Sequence, residues 1–114
     1  ISMPTVNIFY KDSKKEPILR SLASGLRDYI ANELTCGDIQ LKPSEVSVRF
    51  IKVVGGEMIG AVEVEIAAHS FTERINKQDE ICRNTVNYIQ KEKPSLGEVK
   101  VWLQLSELGH SWKE

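Results

Sequence analysis

The sequence predicts an α/β domain: two β-α-β units in one four-stranded mixed sheet, with two helices on one face. Three observations predict it. Four segments carry the alternation or β-branched bias of strands. Two segments carry apolar residues at helical spacing. Their order is β-α-β, then β-α-β, and the halves 4–54 and 61–105 match in length and plan without clear residue identity.

The first strand is Thr5 to Tyr10, TVNIFY, rich in β-branched and aromatic residues. Ser13 and Glu16 then form an S-x-x-E capping signal, and Pro17 falls in the first helical turn, where its missing N–H costs little. Ile18, Leu19, Leu22, Ala23, Leu26, Tyr29, Ile30 and Leu34 recur along one helical stripe, which Gly37 ends. Val46 to Val54 is the second strand, with Val48 and Phe50 on one face and Arg49 and Ile51 on the other. Gly55, Gly56 and Gly60 bracket a loop. Val62, Val64 and Ile66 alternate with Glu63, Glu65 and Ala67 in the third strand.

Ser70 and Glu73 repeat the capping signal ahead of a second helix, whose expected buried stripe is Phe71, Ile75, Cys82, Val86 and Ile89. Arg74 and Lys77 open that helix and read as a solvated face. Pro94 and Gly97 stop it. Val99, Val101, Leu103 and Leu105 alternate with Lys100, Trp102 and Gln104 in the fourth strand, and a short tail carries Trp112. The second face of the sheet therefore collects Arg49, Ile51, Glu63, Glu65, Lys100, Trp102 and Gln104. Such a mixed face is either solvated or meets other subunits.

Composition narrows the function classes. The 114 residues are one domain's worth of chain, with 41% hydrophobic and 27% charged residues, as in an ordinary globule. Fifteen Lys and Arg against sixteen Asp and Glu leave a formal charge of -1, without the basic excess of a nucleic-acid binder. No apolar run approaches the roughly 20 residues of a membrane span, so no membrane partner is expected. No signal peptide is visible, and two cysteines make no disulfide framework, so the expected compartment is the cytoplasm. Ile1 and Ser2 read as an expression remnant ahead of an initiator Met3, leaving 4–114 as the single domain.

Little other chemistry is signalled. His69, His110, Cys36 and Cys82 lack zinc-type spacing, so no metal is expected. Cys82 reads as a small core residue and His69 as a surface histidine. Gly55, Gly56 and Gly60 are not followed by the G-K-[ST] of a phosphate loop. Glu63 and Glu65 lie about 7 Å apart along one strand, close to spacings used in carboxylate chemistry, although alternating exposed glutamates are far commoner.

Two architectures share this order of elements: the ferredoxin-like split βαβ, and a sheet in which both β-α-β units lie side by side. Three details favour the second. Met3-Pro4 opens directly onto the strand as P-T-V-N-I-F-Y; Ser47-Val48-Arg49-Phe50-Ile51 follows the first helix; a Gly-bracketed loop comes next. With Lys42-Pro43 before the second strand, these resemble the tautomerase superfamily, which includes 4-oxalocrotonate tautomerase, 5-carboxymethyl-2-hydroxymuconate isomerase and macrophage migration inhibitory factor. The chain looks most like an uncharacterised bacterial branch of it.

The resemblance implies a homo-oligomer, a trimer, with sites between subunits, no cofactor, and a small-molecule carboxylate substrate. It implies that Pro4, exposed as the terminal residue by methionine removal, is the base. A free α-amino group titrates near 8, and burial lowers that further by disfavouring the charged form. The neutral amine then takes a proton from carbon or from an enol hydroxyl. Arg49 matches the strand arginine that binds substrate in 4-oxalocrotonate tautomerase. Trp102 would wall the pocket and Lys42 would bind an anion.

Each residue also has a plain structural reading. Pro4 suits the start of an edge strand. Arg49 would pair with Glu63 or Glu65, Trp102 would pack at a subunit contact, and Lys42 would be solvated. The early arginine of 4-oxalocrotonate tautomerase has only Lys11 and Lys14 near its place. With Ile1 to Met3 attached, the Pro4 nitrogen is an amide and has no basicity. The expected function is proton transfer between enol and keto forms of a small 2-oxo acid. The alternatives are a non-catalytic trimeric ligand-binding or interaction module of the same fold, and a dimeric ferredoxin-like regulatory domain.

Overall fold

The computed structural model describes residues 4–37 and 40–107. The expected remnant at 1–3, and His110 and Trp112 of the tail, lie outside these residues. The strands are β1 (Thr5–Tyr10), β2 (Ser47–Lys52), β3 (Val62–His69) and β4 (Val99–Ser106); the helices are α1 (Glu16–Leu34), α2 (Thr72–Asn76) and α3 (Gln78–Glu92).

The sheet order is β2-β1-β3-β4. β1 pairs with β2 in parallel, β3 with β4 in parallel, and the two units meet at the antiparallel β1–β3 pair. A ferredoxin-like sheet would insert a foreign strand between the two strands of each unit. Here they are neighbours, which excludes that architecture and establishes the tautomerase-type arrangement. β2 and β4 are the free edges.

Parity decides the two faces. Val6, Ile8, Val62, Val64 and Ile66 are 0–1% exposed and join Leu19, Leu26 and Ile30 of α1 and Ile81 and Ile89 of α3 in one core. This is the strand alternation and helical stripe read from the sequence, now closed into one layer of helices on one sheet face. α1 and α3 lie close because Gly25 has no side chain. A Cβ there would sit 2.6 Å from the Tyr88 hydroxyl, and Tyr88 instead stacks on Tyr29 at 4.2 Å between ring centroids. A mid-helix glycine costs about 1 kcal/mol against alanine, and the stacked pair returns a similar amount.

Several local expectations are corrected. Neither capping signal forms. Asp12 caps a 3-10 turn at Ser13–Lys15 by accepting from the Lys14 N–H at 3.0 Å, and Glu16 accepts the Tyr10 hydroxyl at 2.8 Å instead. That strong acceptor, with burial, raises the Tyr10 pKa. Ser70 uses its backbone N–H on the Ser106 carbonyl, and α2 begins with no side-chain cap. The second helix is broken at Lys77, where φ is -108° and ψ is 9°, so its stripe changes phase. Ile81, Thr85 and Ile89 are buried; Ile75 is 45% exposed, and Cys82 and Val86 are only partly covered. β2 is also shorter than the 46–54 expected, because Val53 and Val54 run on into the glycine loop.

Candidate functional site

Four strand ends converge where Pro4 lies. Pro4 is buried, and its carbonyl accepts the Ser47 N–H at 3.0 Å, which ties the start of β1 to the start of β2. Thr5 pairs with Ala67, so the same end holds the exit of β3 into Ala68 and His69. His69 pairs with Ser106, and the Ser70 N–H donates to the Ser106 carbonyl at 3.0 Å, which adds the exit of β4. α1 delivers its C-terminus here, and the 3-10 turn Pro43–Glu45 follows Lys42 into β2.

Lys42 is exposed at this end, and its backbone N–H donates to Glu45 Oε1 at 3.0 Å. Its ammonium is in no ion pair among the described residues. Lys11 and Lys14 follow β1 at the opposite end, where Lys11 Nζ donates to the Gly56 carbonyl.

Arg49 and Trp102 share one row across the open sheet face: Arg49 opposite Asn7, Asn7 opposite Glu65, Glu65 opposite Trp102. Three strand spacings separate Arg49 from Trp102, about 14 Å. The row lies three residues into β1 from Pro4, about 10 Å along the strand. One chain therefore does not bring Pro4, Arg49 and Trp102 onto one small molecule. The expected ion pair of Arg49 with Glu63 or Glu65 is absent among the described residues. Glu65 accepts the Asn7 side-chain N–H at 3.2 Å, and Glu63 accepts the Ile59 N–H at 2.5 Å. Arg49 stays exposed, Trp102 is 40% exposed, and Asn7 Oδ1 is buried without a partner.

Two arginines that matter here escaped the sequence reading. Arg74, expected on a solvated face, is 1% exposed. Its Nε donates to the Leu34 carbonyl at 2.9 Å and its Nη1 to the His69 carbonyl at 2.8 Å. The guanidinium carbon lies 4.8 Å from the Phe71 ring centre, and Phe71 meets His69 edge-on at 4.7 Å. No carboxylate pairs with it among the described residues, and Nη2 has no acceptor. Burial lowers its pKa, opposed by the nearby Cys36 thiol. Arg27 is the second. It reaches from α1 to the Val46 carbonyl, with Nε at 2.8 Å. Nothing in the spacing of α1 marked it, because Arg27 is exposed like its polar neighbours.

No protein-family profile matches this sequence. No curated protein matches it either. Solved structures do. A Vibrio cholerae protein of unknown function superposes with a TM-score of 0.69 at 13% identity, over 99% of this chain and 85% of that one. A 5-carboxymethyl-2-hydroxymuconate isomerase from Deinococcus radiodurans gives 0.63 at 17% identity, over 99% and 90%. A macrophage migration inhibitory factor-like protein from Entamoeba histolytica gives 0.57 at 16% identity, over 91% and 89%. The likeness is one of fold, and the fold is that of the tautomerase and migration inhibitory factor superfamily.

Proposed function

We propose that this chain, built on a tautomerase-type fold, moves a proton between the enol and keto forms of a small 2-oxo acid, with Pro4 as base once it is the terminal residue. The observation that carries this reading is the burial of Pro4 at the sheet end where the termini of all four strands converge. A secondary amine there would be neutral near physiological pH, because a covered site disfavours its charged form. The nitrogen takes the enol hydroxyl proton as the carbonyl forms and returns a proton to the substrate carbon. The amine ends the cycle as it began.

The other site residues come from neighbouring copies in this reading. Arg49 and Trp102 lie too far from Pro4 and from each other within one chain, and a trimer supplies them across its interfaces. Arg49 then holds the substrate carboxylate, Trp102 closes the pocket, and Lys42 adds charge at Pro4's own end.

The test is an enol-to-keto assay on a 2-hydroxydienoate and an aryl enolpyruvate, with two preparations side by side. One begins at Pro4 and the other carries Ile1 to Met3. Activity only in the first supports the amine as base, since the amide nitrogen of the longer form has no proton affinity to offer. Activity equal in both, or in neither, overturns the reading. Inactivity of both favours a non-catalytic trimeric binding module. The placement of Lys11 and Lys14 at the far end of the sheet already supports that second reading.

A further inference from the structure

We propose that Arg74 is a positioning residue for Pro4: its guanidinium supplies β3 with the donor that the sheet loses when the chain begins at Pro4. The inference rests on the reading of Pro4 as a terminal base.

The ladder between β1 and β3 shows which donor that is. In an antiparallel pair, facing residues alternate between those that exchange N–H and C=O bonds and those that do not. The Ser70 N–H donates to the Ser106 carbonyl at 3.0 Å and the Val62 N–H to the Glu98 carbonyl at 3.1 Å. Even-numbered residues of β3 therefore turn their backbone groups to β4, and odd-numbered ones turn theirs to β1. On β1 the Pro4 carbonyl accepts from Ser47 and the Tyr10 carbonyl from Val53, so its odd-numbered residues face β3. Thr5 opposite Ala67 is the last such pair at this end. One step further, the same register sets the His69 carbonyl opposite the residue before Pro4. A chain that begins at Pro4 has no residue there and no ladder N–H to give.

Arg74 takes that role from within the same chain. Its Nη1 donates to the His69 carbonyl at 2.8 Å. Ser106 holds the N–H of the same peptide unit, so the plane at the exit of β3 is fixed from both sides. The guanidinium is fixed in turn. Its Nε donates to the Leu34 carbonyl at 2.9 Å, the Phe71 ring centre lies 4.8 Å from its central carbon, and the residue is 1% exposed. Without this donor the His69 carbonyl would have to turn toward water, and the end of β3 would turn with it. Pro4 has no N–H for the ladder and is tied to β2 through its carbonyl. On the other side its placement depends on the β3 exit at Ala68 and His69, and a base displaced by about 1 Å loses up to about 100-fold in rate.

The experiment uses the chain beginning at Pro4, with its prolines labelled with ¹³C, and compares Arg74→Gln, Arg74→Lys and Leu26→Ala. Leu26→Ala is the control for lost stability alone. The Pro4 ring signals are expected to shift in Arg74→Gln while those of Pro17 and Pro94 stay, and Leu26→Ala is expected to leave Pro4 in place. In the enol-to-keto assay Arg74→Gln is expected to lower kcat at least tenfold with KM within threefold, because the base moves and the carboxylate ligands do not. Arg74→Lys, which keeps one donor for the His69 carbonyl, is expected to regain at least threefold over Arg74→Gln. The proposal is overturned if Arg74→Gln leaves the Pro4 signals unshifted, if kcat falls no further than in Leu26→Ala, or if the loss lies in KM. Inactivity of the unmodified Pro4-start chain overturns Pro4 as base, and the Pro4 signals alone then decide whether Arg74 positions that residue. Should Arg74→Gln not fold, Arg74→Lys is held against the unmodified chain by the same shifts and the same split of kcat from KM.

Discussion

Arg74 donates through Nη1 to the His69 carbonyl at 2.8 Å, and so fixes the exit of β3 at the sheet end where Pro4 lies. Through Nε it holds the last turn of α1 at the Leu34 carbonyl. One buried cation thus joins the end of β3 to the end of α1, reaching a carbonyl 40 residues before it in sequence, with no carboxylate among the described residues to offset its charge. Two carbonyls and the Phe71 ring provide the electron density instead.

Arg74→Ala removes two charge-assisted bonds and leaves both carbonyls unmet, against relief of the guanidinium's own burial. A loss of about 2–3 kcal/mol in urea unfolding is expected. Arg74→Lys recovers less than half of it, because an ammonium lacks the planar fork that spans both carbonyls. A loss below 0.5 kcal/mol in Arg74→Ala would show that the bonds merely balance the desolvation.

The Tyr29 phenol is pushed up to about 12, first by burial and then by its hydrogen bond to Glu33. A folded-state pKa above the unfolded value of about 10 means the native state holds that proton more tightly. The contribution to stability is whole below pH 10 and is lost as pH rises through 12. Ultraviolet titration should show one phenol ionising well after free tyrosine, and Tyr29→Phe should flatten the alkaline fall in stability. A Tyr29 phenol titrating near 10 would contradict the stacked, covered arrangement with Tyr88.

Leu26 is 0% exposed under the sheet, whereas Ile59 is 76% exposed in the loop before β3. Leu26→Ala is expected to cost about 3 kcal/mol by lost transfer energy and residual cavity. Ile59→Ser should stay within about 0.5 kcal/mol. Chemical denaturation of the two variants measures both, and similar losses would disprove the assignment of the core.

Arg49 has no ion pair among the described residues, so Arg49→Gln should leave stability within about 0.5 kcal/mol. If it holds the substrate carboxylate, the same change lowers kcat/KM about 100-fold, or about 2.7 kcal/mol in transition-state binding. Because Pro4 and Arg49 are separated within one chain, Arg49→Gln and Pro4→Ala protomers, unfolded together and reassembled, should regain activity that neither has alone. No regain would place both residues in one protomer's site or outside it.

The strands and α1 were legible because burial there follows a simple period. Val62, Val64 and Ile66 alternate, Leu19, Leu22, Leu26 and Ile30 recur at helical spacing, and the solvent-facing partners are polar. The second helix was legible only in its existence. The break at Lys77 rotates the stripe, and a local turn of backbone at one residue leaves no mark in the spacing of apolar residues. The first capping signal failed because better partners lay elsewhere: Asp12 accepts the Lys14 N–H in the first turn, and the Tyr10 hydroxyl donates to Glu16.

By itself the sequence determined the order β-α-β-β-α-β, the face to which each strand residue turns, and Trp102 and Arg49 on the open side. These depend on periods of two and 3.6, which are properties of neighbouring residues. Only the tertiary structure decided that β1 and β3 pair at the centre, that the strands of each unit lie side by side, and that Arg49 and Trp102 stand three strands apart. It alone buried Arg74 against two distant carbonyls and turned Arg27 onto the free edge of β2. Such contacts join residues far apart in the chain, and an arginine's exposure depends on which backbone groups the fold leaves unpaired within its reach.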